Sequence, residues 1–390
     1  MIDPLSPLPS IVALLVVMMT MSALVRMFGA PAIQGRFASI DGLRGYLAFF
    51  VYLHHSSIWY FYIHTGLWKK PPSNLYVHFG QDSVILFFMI TGFLFFSKLL
   101  NGKEKPLDWN NIFISRLLRL TPLYFFVIFL LLIVITFVSH LSLNEPIEKI
   151  IIEITRWISF SIPGAPDING IKNTWLILAG VVWTLPYEWF FYISLPILAR
   201  LMNVKVSNMY IVFSFVGSGI ILRLWHPDYL RLLPFMTGMI TAVLVKSDLF
   251  KRIALKKSSS FIILSCICVV VMFYSEAYGI IPIILLSISF ALIAGGNSIY
   301  GLLLSPVSRA LGEITYSIYL LHGITLFIIF TFILGINNAK VLSPIHYWLL
   351  VICISPIIIL FSFCTFRIIE RPALRSTKKI TVWLQGVLSK

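Results

Sequence analysis

Two adjacent histidines inside a long apolar run are the first residues of this chain that could do chemistry. The run is IDGLRGYLAFFVYLHHSSIWY at 40–60, where Asp41 and Arg44 open the segment and His54 and His55 lie deeper. Read as a helix, the eleven residues from Arg44 to His55 make three turns plus about 20°, so both lie on one face about 16 Å apart. His54 points elsewhere. Ionisable groups inside a membrane span are costly to bury and are functional candidates for that reason. An imidazole titrates near neutrality and can take a proton from an alcohol, whereas an aspartate or glutamate at that depth would tend to be protonated. A histidine hydrogen-bonded between helices as structural glue fits the same spacing, and periodicity leaves both readings open.

Three more polar groups stand out. In DWNNIFISRLLRLTPLY, Asp108 or Asn110 could cap a short helix ahead of Pro122 that carries Arg116 and Arg119 on one face at i, i+3. Paired guanidiniums suit phosphate oxygens, through bidentate charge-assisted hydrogen bonds, but ordinary anchoring at a membrane edge produces the same pattern. Glu188, in NTWLILAGVVWTLPYEWFFYISLPILAR, is the one acidic residue of its run, and Pro186 beside it is expected to break the helix there. Such a carboxylate could orient a histidine, hold a sugar hydroxyl or pair with an arginine. His322, in GEITYSIYLLHGIT, lies roughly 12 Å into a span, where a structural hydrogen bond is its expected role.

The elements that must position these residues are hydrophobic helices. Hydrophobic residues make up 59% of the 390 and charged ones only 12%, about half the share of a soluble domain. Apolar runs at 8–27, 41–61, 82–100, 120–140, 175–201, 208–225, 229–246, 259–274, 277–296, 314–335 and 346–366 predict about eleven spans. A charged amphipathic segment at 147–163 reads as interfacial or re-entrant.

If the first span runs from outside to inside, all thirty Lys and Arg except Lys69, Lys70, Lys149, Arg156, Lys172, Arg223, Arg231 and Lys340 fall on the cytoplasmic side. The positive-inside rule then places the N-terminus outside and the C-terminus in the cytoplasm. The same dispersal over loop ends argues against nucleic acid as the partner of a +15 chain. The first span lacks the basic n-region of a cleaved signal and is expected to be retained. Cys266, Cys268, Cys353 and Cys364 sit in apolar runs without metal-like spacing, so neither a zinc site nor a disulfide framework is expected.

With these residues laid out, the sequence resembles the acyltransferase 3 family, membrane proteins that O-acylate carbohydrates and other extracytoplasmic acceptors. The resemblance runs from about Ile40 to Pro372, with the motifs in matching order. They are DGLRG at 41–45 with Arg44 and His55 in Arg-x10-His spacing, FFMITGFLF at 87–95, and Arg116-x-x-Arg119-x-x-Pro122. WTLPYE at 183–188, YSIYLLH at 316–322 and Glu370-Arg371-Pro372 follow. Thr91 and Thr184 stand where serine is commoner, which keeps a hydroxyl.

The resemblance implies an all-α polytopic membrane protein, a ten-helix acyltransferase core with one extra N-terminal transmembrane helix. The corresponding divisions are 1–35 for the extra helix and linker, 36–372 for the membrane domain and 373–390 for a basic cytoplasmic tail, with no C-terminal esterase-like domain. It implies an essential role in transfer for His55 with Arg44, and a contact with the cytoplasmic donor, acetyl-CoA or another acyl-CoA, for Arg116 and Arg119. Asp41 and Glu188 are expected in the catalytic set with them, Asp41 and Arg44 organising the cytoplasmic mouth and Glu188 positioning the acceptor, and His54, Tyr319 and His322 are expected as substrate-facing or structural neighbours. The acceptor would be a hydroxyl of an extracytoplasmic glycan or glycolipid at a bacterial inner membrane, and no metal is required. A proton-coupled transporter or flippase using His55 and Glu188 is the rival reading, weakened by the absence of repeat symmetry.

Overall fold

A computed structural model describes residues 3–32 and 37–388; the expected division between 35 and 36, and Arg36 and Lys390 of the inward-facing charges, fall outside them. The chain is helical throughout, with no strand among the described residues. In order the helices are α1 (Leu8–Phe28), α2 (Ala38–Thr65), α3 (Asn74–Asn101), α4 (Trp109–Val138), α5 (Ile147–Ile158) and α6 (Leu185–Leu201). Then come α7 (Asn208–Leu224), α8 (Leu233–Leu244), α9 (Asp248–Ala254), α10 (Lys257–Phe273), α11 (Ile280–Ala294) and α12 (Pro306–Glu313). The last are α13 (Thr315–Ile328), α14 (Ile336–Lys340), α15 (Pro344–Thr365), α16 (Arg371–Arg375) and α17 (Thr377–Leu388).

Every predicted span is occupied by helix, but the spans are not equivalent. Among the described residues, six helices are long and apolar enough to cross a membrane alone, or seven if the segment 229–254, bent by 108° at its break, counts as one. The helices α7, α10 and α11 are apolar but shorter, 17, 17 and 15 residues. At 1.5 Å per residue they reach about 22–26 Å against a hydrocarbon core of about 30 Å. The helix α2 is long enough, at 28 residues, but is not among the six. His54, His55, Ser56 and Ser57 dilute its hydropathy. The helix richest in chemistry is therefore one that lipid alone would not hold.

Two local expectations are corrected. The helix that carries Arg116 and Arg119 does not stop before Pro122; α4 starts at its Asp108 cap, whose Oδ1 accepts from Asn111 N at 2.9 Å, and runs through the proline to Val138. One lost backbone bond is tolerable where neighbouring groups satisfy the freed carbonyl. The span at 175–201 is broken upstream of Pro186, because Ala179 (φ 51°) and Gly180 (φ 71°) turn the backbone left-handed between two 3-10 turns. Pro186 sits in the first turn of α6, where its missing N–H costs nothing, and Glu188 shares that turn with the positive end of the helix dipole.

The helices group into two compact units, one of Met1–Ser97 with Asp228–Ser362 and the other of Lys98–Pro227 with Phe363–Lys390. In the first, α2 is the hub. Its Gly42 and Gly45 lie so close to the 302–313 segment that a Cβ would stand 1.9 Å from Leu303 O and 2.7 Å from Leu311 C, and a Cβ on Gly312 would stand 1.8 Å from Asp41 O. Small residues let membrane helices approach backbone to backbone, which gives DGLRG its glycines a physical reason. The same device joins α3 to α8, where Gly92 faces Phe235 O and Gly238 faces Met89 O. Buried polar atoms pin α2 further: Ser39 Oγ donates to Ile293 O, Tyr46 OH meets Ser308 Oγ at 2.7 Å, Tyr52 OH donates to Val351 O, and Tyr347 OH donates to Ser56 O.

The extra helix α1 buries one narrow seam, Ala13, Val17, Met21 and Leu24, at helical spacing. Its ends are tied by Trp348 Nε1 donating to Pro4 O and Arg309 Nη1 donating to Pro31 O.

In the second unit, α4 contacts α5, α16 and α17. The expected basic tail is thus helical, and Gln385 Nε2 donates to Asp108 Oδ2 at 3.3 Å. The helix α5 leaves Ile147, Ile151, Ile152 and Ile158 exposed while burying Glu153 and Trp157, the pattern of a helix lying in an interface. Burial raises the pKa of the Glu153 carboxyl, while Lys149 beside Glu145 holds that carboxyl below its ordinary range.

The glycine contacts make a direct prediction. Gly42→Ala should cost at least about 2–3 kcal/mol, because backbone must move to admit the methyl group. Gly219→Ala, inside α7 with nothing within 4 Å, should be neutral or stabilising by up to about 1 kcal/mol. Melting of the purified variants in detergent measures both.

Candidate active site

The site in the first unit is built where α2 meets α13. His55 projects from α2 one turn after Val51, and His322 from α13 one turn after Ile318, so each ring can reach the carbonyl of its own preceding turn. His322 Nδ1 lies 2.9 Å from Ile318 O, His55 Nδ1 lies 3.0 Å from Val51 O, and His322 Nε2 lies 3.0 Å from His55 Nδ1. The rings are 5.0 Å apart and nearly parallel.

A carbonyl oxygen only accepts, so these contacts assign the protons. His322 Nδ1 carries a hydrogen and donates to Ile318 O; its Nε2, in the neutral ring, is a lone pair. His55 Nδ1 must then carry the hydrogen shared between Val51 O and His322 Nε2. What remains is His55 Nε2, a bare lone pair on the half-buried member of the pair, while His322 is fully buried. A base whose second nitrogen is held by an orienting partner is the arrangement that nucleophile activation requires. When Nε2 takes a proton, Nδ1 keeps its acceptors and the new charge is stabilised through His322.

His54 turns the other way. Its Nδ1 donates to Tyr76 O at 2.6 Å, in space opened by Gly80, where a Cβ would stand 2.5 Å from the imidazole. Its ring meets that of His55 edge-on at 4.9 Å. Tyr319 packs edge-on against His322 and Phe87. Asp41 and Arg44 are half-buried in the first turns of α2, against α12 and three turns from His55.

Arg116, Arg119 and Glu188 belong to the second unit. There the Tyr192 hydroxyl donates to Glu188 Oε2 at 2.8 Å and also bonds the Arg116 side chain, so the carboxylate and the arginine share one phenol. Lys98 lies close enough to Arg116 for their charges to repel. Arg119 is half-buried, and its Nη2 is a buried donor with no partner among the described residues. The cluster gathers cations and directed N–H groups, which is what an anionic phosphate needs. A separate cavity of about 570 Å³ in the same unit is lined by Glu145, Lys149, Glu153, Arg156, Asp167 and Lys172 among others, with its charges balanced.

Sequence reasoning passed over several of these residues. Tyr192 follows Glu188 by one helical turn, and that spacing was a usable signal. His78 and Asp82, also one turn apart, form a buried pair at 2.8 Å, with His78 Nε2 donating to Tyr274 O at 2.7 Å. Gln81 Oε1 accepts from Ala277 N beside them, so this cluster clamps the connection between α10 and α11.

The profile of a family described as an acyltransferase domain matches residues 37–367, and no curated protein and no solved structure matches the chain.

His322→Phe keeps the ring volume but removes the acceptor from His55 Nδ1. Turnover should fall about 10- to 100-fold, the usual loss for an orienting partner, with the KM for donor unchanged. A steady-state titration of donor measures both constants.

Proposed function

The chain belongs to the acyltransferase 3 family and is a membrane acyltransferase; from that premise we propose that it moves an acetyl or similar acyl group from acyl-CoA to a hydroxyl of an extracytoplasmic carbohydrate or glycolipid. The observation that carries the reading is the unoccupied lone pair of His55 Nε2, fixed by the bond from His55 Nδ1 to His322.

The reaction follows from that lone pair. The acceptor hydroxyl gives its proton to His55 Nε2 as its oxygen attacks the thioester carbonyl carbon. The tetrahedral intermediate collapses with cleavage of the C–S bond, and the imidazolium returns the proton to the departing thiolate, releasing CoA as a thiol. A positioned base of this kind contributes about 10²- to 10⁴-fold to the rate. The His55–His322 pair supports direct transfer without a covalent intermediate, since the imidazole serves first as base and then as acid.

Arg116 and Arg119 hold the phosphates of the donor, the buried Nη2 of Arg119 finding in a phosphate oxygen the acceptor that the protein does not supply. Glu188, through Tyr192, orients Arg116, a role nearer to the donor than the acceptor positioning first expected. Arg44 and Asp41 organise the start of α2. The charge asymmetry of the loops supports a donor on the cytoplasmic side, an acceptor from outside, an outward N-terminus and an inner-membrane location.

Incubating membranes that hold the protein with labelled acetyl-CoA tests the reading. Label should enter a glycan or lipid fraction, and His55→Ala should lower it by about 10²-fold or more. Arg119→Lys should raise the KM for acetyl-CoA by about tenfold, since a single ammonium cannot replace the planar fork. Full transfer in His55→Ala would overturn the catalytic assignment, and flux of an unmodified solute without any donor would favour transport.

A further inference from the structure

One turn beyond His55, Trp59 is fully buried, yet its indole N–H has no partner among the described residues. A buried donor without an acceptor carries its whole desolvation penalty, and native structures keep few of them without a reason. The ring is surrounded by aromatics: it stacks on Phe330 at 5.5 Å and meets Tyr62, Trp68 and Phe327 edge-on at 5.4, 5.6 and 6.1 Å.

Trp68 is the part of this cluster that is not on a helix. It lies in the segment 66–73, which leaves α2 through Gly66 in the left-handed conformation (φ 71°) and is tied at its far side by the Lys70–Glu276 ion pair. Its indole lies nearly parallel to the His55 ring, at 6.2 Å and 21°, and meets Tyr62 at 5.5 Å. His55 and Trp59, a candidate base and an unsatisfied donor one turn apart on α2, thus share one aromatic neighbour, Trp68.

We propose that Trp59 and Trp68 are the acceptor-binding residues of this site. Trp68 stacks on the C–H face of a sugar ring, and Trp59 Nε1 donates to an oxygen of the same sugar while His55 Nε2 takes the proton of the reacting hydroxyl. The sugar displaces Trp68 from the face of His55, with Gly66 absorbing the backbone change. Until then Trp68 shields the base, which limits wasteful attack of water on the thioester. An aromatic plane with one directed donor suits a ring that is apolar on its faces and polar on its edge. This inference rests on the acyltransferase reading of His55.

The test uses the purified full chain, labelled acetyl-CoA as donor and membranes of the source organism as acceptor. Transfer is followed together with release of free acetate in the absence of acceptor. Trp59→Phe and Trp68→Ala should each lower the ratio of transfer to hydrolysis by about tenfold, whereas Trp68→Phe, which keeps a stacking face, should stay within about threefold of wild type. Wild-type ratios in both variants, or an equal fall of transfer and hydrolysis, would each overturn the inference while leaving the acyltransferase reading intact. A wild-type protein with neither transfer nor hydrolysis would overturn both.

Discussion

The hydrogen bond from His55 Nδ1 to His322 Nε2 depends on two backbone carbonyls that have nothing to give. Ile318 O fixes the hydrogen of His322 on Nδ1, and Val51 O helps to hold that of His55 on Nδ1, so the lone pair that this couple leaves unused is His55 Nε2. Both carbonyls already belong to helical turns, and the histidines use their second acceptor site. The helix itself thereby sets the tautomer of the base. The arrangement needs no carboxylate, which would be costly to keep ionised at this depth.

That bond survives only if α2 and α13 keep their register, and the glycines seat α2 against the 302–313 segment that leads directly into α13. Gly42, Gly45 and Gly312 bring backbones into contact where the polar α2 enters the first unit, and Tyr52, Ser56 and Tyr347 lock its middle. Interlocked backbones restrict sliding along the helix axis, so a hydrogen bond of 3.0 Å can be held between residues on separate helices. The packing does for the site what a disulfide or a metal does in smaller proteins.

Much of the candidate site was legible because its logic is local. Arg44 and His55 lie on one helix and Arg116 and Arg119 on another, as the apolar periodicity predicts, and His54 and His55 bond different partners. The pairing of His322 with His55 was not legible, because a lone histidine on an apolar helix gives no sign of a partner 267 residues away. The break at 179–180 was hidden for another reason. Alanine carries no turn signature, and Pro186 drew attention to the wrong position, although Gly180 was the available cue. Pro122 misled in the opposite direction, since rules drawn from soluble helices overstate the damage a proline does inside a membrane protein.

The polarity of α2 also constrains how the protein is made. Its buried polar contacts reach partners 254 to 299 residues later in the chain: Ile293, Ser308, His322, Tyr347 and Val351. During synthesis the histidine-bearing helix therefore emerges long before the groups that satisfy it, with α1 and α3 as its early company. Until the last quarter of the chain arrives, α2 is a marginal guest in lipid, dependent on water, headgroups or insertion machinery for its hydrogen bonds. The polar helix at the centre of the first unit is thus fully satisfied only once residues 293–351 have been made.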